Sequence, residues 1–501
     1  MAGLMVPGSP GVRNISALSL AAVAIGLLAQ WLFVDTALGV NAPIAVAALL
    51  TAAWLLRPST RPRPRVRDAW LPVAALTLSA FAAVRGDGNL VTLDMLGAVG
   101  LSGAAIASFG GFRVVDRPFE GLLTLGARVA VSAAISGTRL VTALTGTIPR
   151  TRDRSSTRRA APILRGLLIA LPLVIFFVVL FAAADAVFAR IAGDLFKWRI
   201  ELGSLPARAV VAILGAWLAA GLFAFVVAGD AGDPPAPSEV KTARVRLGSG
   251  EATTVLVVLD LLFAGFVAVQ GAYLFGGQDT LEASGLTYAE YARRGFFELM
   301  AGAFAAGVLI LALEATVRRR SRTYLVAAMG LVALTAAVLA SALLRMRLYQ
   351  EAYGWTELRF YVLAAIAWLA IGCLVAIVTL ATDRSRWLIH SMVALSILFG
   401  LAFNLVGPVS LVAQQNLARA LHPELVAAGG ETGLDLAYLA SLGDDAVLRL
   451  IDALPALPRN LRRQAQEILD ARAAQLVEDR GLSAWQSWNL SREWARSRLV
   501  R

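Results

Sequence analysis

The sequence is poor in lysine, histidine and cysteine. Lys197 and Lys241 are the only lysines, His390 and His422 the only histidines, and Cys373 the only cysteine in 501 residues. One cysteine forbids an intrachain disulfide, and because it sits in an apolar run it says nothing about compartment. One cysteine and two distant histidines leave no ligand set for zinc or copper, so no metal and no cofactor is expected. Charge is scarce as well: 16% of residues are charged, against about a quarter in a soluble domain. Catalytic signatures are missing. There is no Walker phosphate loop, no Gly-x-Gly-x-x-Gly after a strand, no Gly-x-Ser-x-Gly elbow and no His-Glu-x-x-His. Asp35 is the one outer acid that invites comparison with a membrane glycosyltransferase, but its loop is too short to hold a substrate.

What the chain has is apolar length. Hydrophobic residues make up 58% of it, and the runs between charges are long enough to cross a bilayer. The fold class read from this is all-α: a polytopic transmembrane helix bundle of about eleven spans with a small C-terminal helical extracytoplasmic domain. Net charge is +12, carried almost wholly by arginine. The arginines collect in short loops, as in the cluster Arg57, Arg61, Arg63, Arg65 and Arg67. That is the positive-inside pattern, and with no basic stripe interleaved with aromatics it excludes nucleic acid as a partner.

Four segments follow. Residues 1–112 hold four spans, at 15–34, 40–56, 70–84 and 90–112. Residues 113–162 form a cytoplasmic basic segment. Within it, 121–147 carries a polar stripe of Thr124, Arg128, Ser132, Ser136 and Arg139 at helical spacing, so it reads as an amphipathic helix on the inner leaflet. Residues 163–406 hold seven more spans, at 163–184, 205–228, 253–275, an eighth ending near Glu314, 323–344, 360–380 and 387–406. Residues 407–501 are rich in charge of both signs and carry no span. Helices are expected there at 434–442, 444–454, 460–480 and 484–499, with Asp444 as an N-cap and Gly481 as a stop. The arginine distribution puts the N-terminus in the cytoplasm and the tail outside. Trp31, Trp54, Trp70, Trp355 and Trp387 fall at expected membrane interfaces.

Two outer runs are dense in charge and tyrosine, 285–298 and 345–359. Thr287 and Glu290 fit a capping box, and Glu290, Arg294 and Glu298 recur at steps of four. In the second run Gly354 is placed to break one helix and Thr356 to cap the next. Two helix N-termini then face the same outer surface beside Arg293, Arg294, Arg345, Arg347, Tyr353 and Arg359. Free N–H groups and the helix dipole favour an anion there, such as an anionic lipid head group or an envelope polymer. The competing expectation is an ion-pair lattice in which Glu290, Glu298, Glu351 and Glu357 neutralise the arginines and lock the spans together. Two acids lie within spans, Asp260 about two turns deep and Asp94 nearer the outer end. An acid at depth costs about 2.5–3.5 kcal/mol on insertion scales, which marks Asp260 as a candidate proton or cation site. A hydrogen-bonded packing role is the alternative.

These runs also carry a resemblance. Tyr273-Leu-Phe-Gly-Gly277, Gly285 to Leu299, Arg345-Met-Arg-Leu-Tyr349, Tyr353 to Arg359, Asp435-Leu-Ala-Tyr-Leu439 and Trp488-Asn-Leu-Ser-Arg492 resemble a bacterial family of polytopic membrane proteins, the domain-of-unknown-function family number 4173. The resemblance runs from the seventh span to the C-terminus, and the first half shares only the hydrophobic layout. It implies an arginine-rich protein of the bacterial inner membrane and brings no activity with it. The function expected is therefore a non-catalytic envelope scaffold or signalling partner with a membrane or extracytoplasmic protein partner. A transporter of an anionic or proton-coupled solute is the alternative, and a membrane enzyme stands third.

Overall fold

The computed structural model describes residues 12–60, 63–117, 119–135, 205–229, 249–275, 296–317, 320–384, 387–426 and 433–500. Every regular element among them is helical. Numbered over these residues, they are α1 (Val12–Phe33), α2 (Asn41–Leu55), α3 (Trp70–Phe81), α4 (Gly88–Phe109), α5 (Phe119–Ile135) and α6 (Leu205–Ala228). Then come α7 (Ser249–Phe275), α8 (Phe296–Thr316), α9 (Arg322–Tyr353), α10 (Glu357–Ala381) and α11 (Leu388–Val406). The tail holds α12 (Pro408–Leu421), α13 (Leu436–Ser441), α14 (Asp444–Ala453), α15 (Arg459–Glu478), α16 (Arg480–Ser483) and α17 (Leu490–Leu499).

Seven of these helices are long and apolar enough to cross a membrane: α1, α4, α6, α7, α9, α10 and α11. The protein is thus an integral membrane protein by the length and composition of its helices. α2 and the 299–314 part of α8 are apolar but shorter. At 15 residues α2 is about 22 Å long, less than the ~30 Å hydrocarbon core. The expected span at 163–184 and the start of the eighth span lie outside the described residues.

The chain forms two compact units, 1–84 with 91–234 and 475–493, and 85–90 with 235–474 and 494–501. In the first, α1 and α6 cross closely because both present small residues. A Cβ on Gly26 would lie 2.2 Å from the Ala212 carbonyl oxygen, and one on Gly215 would lie 3.2 Å from the Gly26 Cα. Without a water-driven core, such close backbone approach is how helices gain contact in lipid. Ala22, Leu50, Leu71, Ile106, Phe109, Phe112 and Phe223 fill the interior. At one end Arg65 and Arg67 pair with Asp116, and buried Asp68 accepts from the Val115 N–H at 3.2 Å. α5 leans on α6: the Ser132 hydroxyl donates to the Gly221 carbonyl at 2.9 Å, and Arg128 lies over the Phe112 ring at 5.4 Å.

At the opposite end of this unit the tail returns. Val40 N–H donates to the Trp488 carbonyl at 2.9 Å, Ala37 N–H to Ser487 Oγ at 2.8 Å, and Leu490 N–H to the Ala83 carbonyl at 2.8 Å. Asn489 and Ser491 donate to the carbonyls of Ala82 and Val84, at 2.8 and 3.0 Å. Trp485 packs on Trp31 with ring centroids 5.3 Å apart, and Arg208 pairs with Asp35 at 3.0 Å.

In the second unit α9 is central and packs against α7, α8 and α10. Its N-cap, Ser321, accepts from the Tyr324 N–H and meets Ser249 Oγ at 2.9 Å. At this end Arg320 joins Glu314 at 2.5 Å and also pairs with Asp383. At the other end α11 stops at Gly407, whose φ of 67° is left-handed, and Pro408 opens α12 at once. The sequence reading assigns no helix between 407 and 433. α12 forms nonetheless, burying Val409, Val412, Ala413 and Leu417, a stripe at helical spacing, largely against α14. The N-cap of α14 is Gly443 rather than Asp444, and Asp444 instead holds Arg472 through two bonds of 2.9 Å.

Candidate functional site

The outer run 345–359 forms the joint between α9 and α10. Local chemistry builds it. Gly354 takes φ 76° and ψ −167°, a conformation open essentially to glycine alone, and so ends α9. Thr356 caps α10 by accepting from the Arg359 N–H at 3.3 Å. Both roles agree with the sequence reading.

The surrounding polar groups bind backbone. Arg359 donates to the carbonyls of Tyr353 and Gly354 at 2.9 and 2.6 Å, and its guanidinium lies 4.3 Å from the Tyr349 ring centroid. Tyr349 and Tyr353 pack with ring centroids 5.0 Å apart at a 53° tilt, so one arginine lies between a helix end and an aromatic pair. Arg419 of α12 donates to the carbonyls of Glu351 and Ala352 at 3.0 and 3.4 Å. These carbonyls belong to the last turn of α9, which has no intrahelical donor for them. Asn416 bonds both sides of Trp355, accepting from its N–H at 2.9 Å and donating to its carbonyl at 2.7 Å. The Tyr438 hydroxyl of α13 accepts the Glu357 N–H at 2.8 Å, and Asn89 donates to Glu357 Oε1 at 2.9 Å. Burial raises the pKa of the Tyr438 hydroxyl, so it stays protonated.

Of the residues singled out in the sequence, Arg345, Arg347, Glu351, Tyr353, Glu357 and Arg359 fall on this joint. Arg345 is buried, whereas Arg347, Glu351 and Tyr353 are exposed. Glu290, Arg293 and Arg294 lie outside the described residues, as does the side chain of Glu298 in α8. Asp260 lies against α9, its carboxylate 3.2 Å from where a Cβ on Gly330 would sit, and its buried Oδ1 has no hydrogen-bond partner. Asp94 is buried in α4.

Sequence reasoning missed Asp87, Asn89, Asn416, Arg419 and Tyr438 as members of the joint. Asp87 and Asn89 sit in Arg85-Gly-Asp-Gly-Asn89, which reads simply as a turn. Tyr438 lies in Asp435–Leu439 and Asn489 and Ser491 in Trp488–Arg492, both among the runs that carry the resemblance. Those runs supply docking side chains rather than a catalytic set. Among the described residues no group of three or more His, Cys, Asp or Glu side chains is placed to hold a metal ion.

A family model described as a domain of unknown function, DUF4153, matches residues 22–453. The chain belongs to that family. The match bears out an uncharacterised family; the family matched is number 4153, and the number 4173 drawn from the motifs is not the one found. The DUF4153 region runs from within α1 to the end of α14, so it takes in the α9–α10 joint with Asn416, Arg419 and Tyr438. No curated protein and no solved structure matches the chain.

Proposed function

We propose that the chain is a non-catalytic scaffold or signalling partner of the bacterial cytoplasmic membrane. It has about eleven spans, a cytoplasmic N-terminus and an extracytoplasmic tail, and works through the surface where the tail helices meet the α9–α10 joint. The supporting observation is where the polar side chains go. Arg359, Arg419, Asn416 and Tyr438 bond backbone groups of the joint. Donors used in this way build a fixed platform and are not held open for a soluble anion. Arg347 and Glu351 remain exposed on that platform and supply its contact chemistry toward a membrane or extracytoplasmic protein, or toward an anionic lipid or envelope polymer.

The second reading, a proton-coupled transporter, is favoured by Asp260, a carboxyl within α7 whose Oδ1 lacks a hydrogen-bond partner. One pair of measurements separates the two. A photo-crosslinking residue at Arg347 or Glu351 in cells is expected to give discrete adducts, and purified protein in liposomes is expected to move no protons. Proton flux abolished by Asp260→Asn, with no adducts at the platform, would overturn the scaffold reading.

A further inference from the structure

We propose that Asp87 and Glu357 form a proton-binding site, one proton held between two carboxyls, which fastens the turn before α4 to the start of α10. This inference does not depend on the scaffold reading. Asp87 is 1% exposed. Its Oδ1 caps α4 by accepting the Leu90 N–H at 2.9 Å. Its Oδ2 is buried and receives no donor. The carboxyl beside it is that of Glu357, whose Oε1 takes the Asn89 amide.

Polar groups from the packed elements surround this pair. From α13, the Tyr438 hydroxyl accepts from the Glu357 N–H. From α14, Asp445 accepts from the Gly86 N–H at 3.1 Å and adds a further negative charge. Its neighbour Asp444 is bonded by Arg472 of α15. Within the turn, Arg85 donates to the carbonyls of Asn404 and Leu405. Besides burial, what raises the Asp87 carboxyl is the negative charge of Glu357 and of Asp445.

A carboxylate buried beside a second carboxylate is driven to take up a proton. A proton on the bare Asp87 Oδ2 makes it a donor toward the half-buried Glu357 carboxylate. The Asp87 carboxyl accordingly rises from 3.8 to about 7, chiefly through burial and with help from Glu357 and Asp445, against the pull of the Leu90 N–H. The folded protein binds a proton here that the unfolded chain releases near 3.8. The stability this site contributes is therefore complete below that value and is lost as pH rises toward about 7.

The test is thermal unfolding of the detergent-solubilised full chain between about pH 5 and about pH 8. The wild type is expected to lose melting temperature across that range. Asp87→Asn, neutral at every pH, is expected to flatten the profile and to melt above the wild type at about pH 8. Infrared difference spectra should show a protonated-carboxyl band near pH 6 that is lost in Asp87→Asn. An unchanged pH profile in that variant, or no such band, overturns the proposal. If Asp87→Asn does not fold, Glu357→Gln decides. Removing its negative charge should shift the wild-type midpoint to lower pH, and an unmoved midpoint overturns the site.

Discussion

Gly354 shows how one residue fixes the joint. At φ 76° and ψ −167° any Cβ is strained, and one built there would also sit 3.0 Å from Asn416 Oδ1. Gly354→Ala should cost about 1–3 kcal/mol, read as a lower melting temperature in detergent. Asn416→Ala removes both bonds to Trp355 and should cost up to ~1–3 kcal/mol by leaving part-buried backbone unsatisfied. The two losses fall on the same contact, so the double variant should be less destabilised than their sum. The sequence made Gly354 and Thr356 legible because each acts within a few residues of itself. Asn416 and Tyr438 were not legible, because their partners are 61 and 81 residues away. Pattern reading has no access to such pairings. For the arginines the sequence left two expectations open, an anion site and pairing with glutamates; Arg359 bonds carbonyls and lies over a tyrosine ring.

Among the elements, hydropathy located the long spans well, since twenty apolar residues in a row have few other uses. It could not say which faces meet. The α1–α6 crossing depends on glycines that look interchangeable in the sequence. Gly26→Leu forces a side chain against the Ala212 backbone and should lower the melting temperature sharply, by about 1–3 kcal/mol or more of stability. Gly100→Ala is the control: a Cβ there meets nothing within 4 Å, so the gain in helix propensity should leave stability equal or slightly higher. The pattern also hid α12, whose apolar stripe is short and follows Gly-Pro directly. The polar stripe on α5 was visible, yet Ser132 faces a carbonyl of α6, a partner that amphipathicity alone does not name.

Across the whole molecule, the alternation of loop sides rests on the arginine pattern, and a few ion pairs are compatible with it. Contacts join loops that the arginine pattern assigns to one side: Arg65 and Arg67 with Asp116, Arg320 with Asp383, and Arg208 with Asp35. What charge counting could not foresee is that residues 475–493 pack with the first 84 residues. Asn489→Ala should loosen that return. Hydrogen exchange at the Val40 and Leu490 amides is expected to quicken, while amides along α9 stay protected. Uniform quickening throughout the chain would instead indicate global destabilisation.

That return sets an order of events during synthesis. The loop at Val40 leaves the ribosome long before the Trp488 carbonyl that it bonds. The first unit cannot close until residues 475–493 have been made. A chain released before them would keep those backbone groups open, giving quality-control proteases a mark of incompleteness.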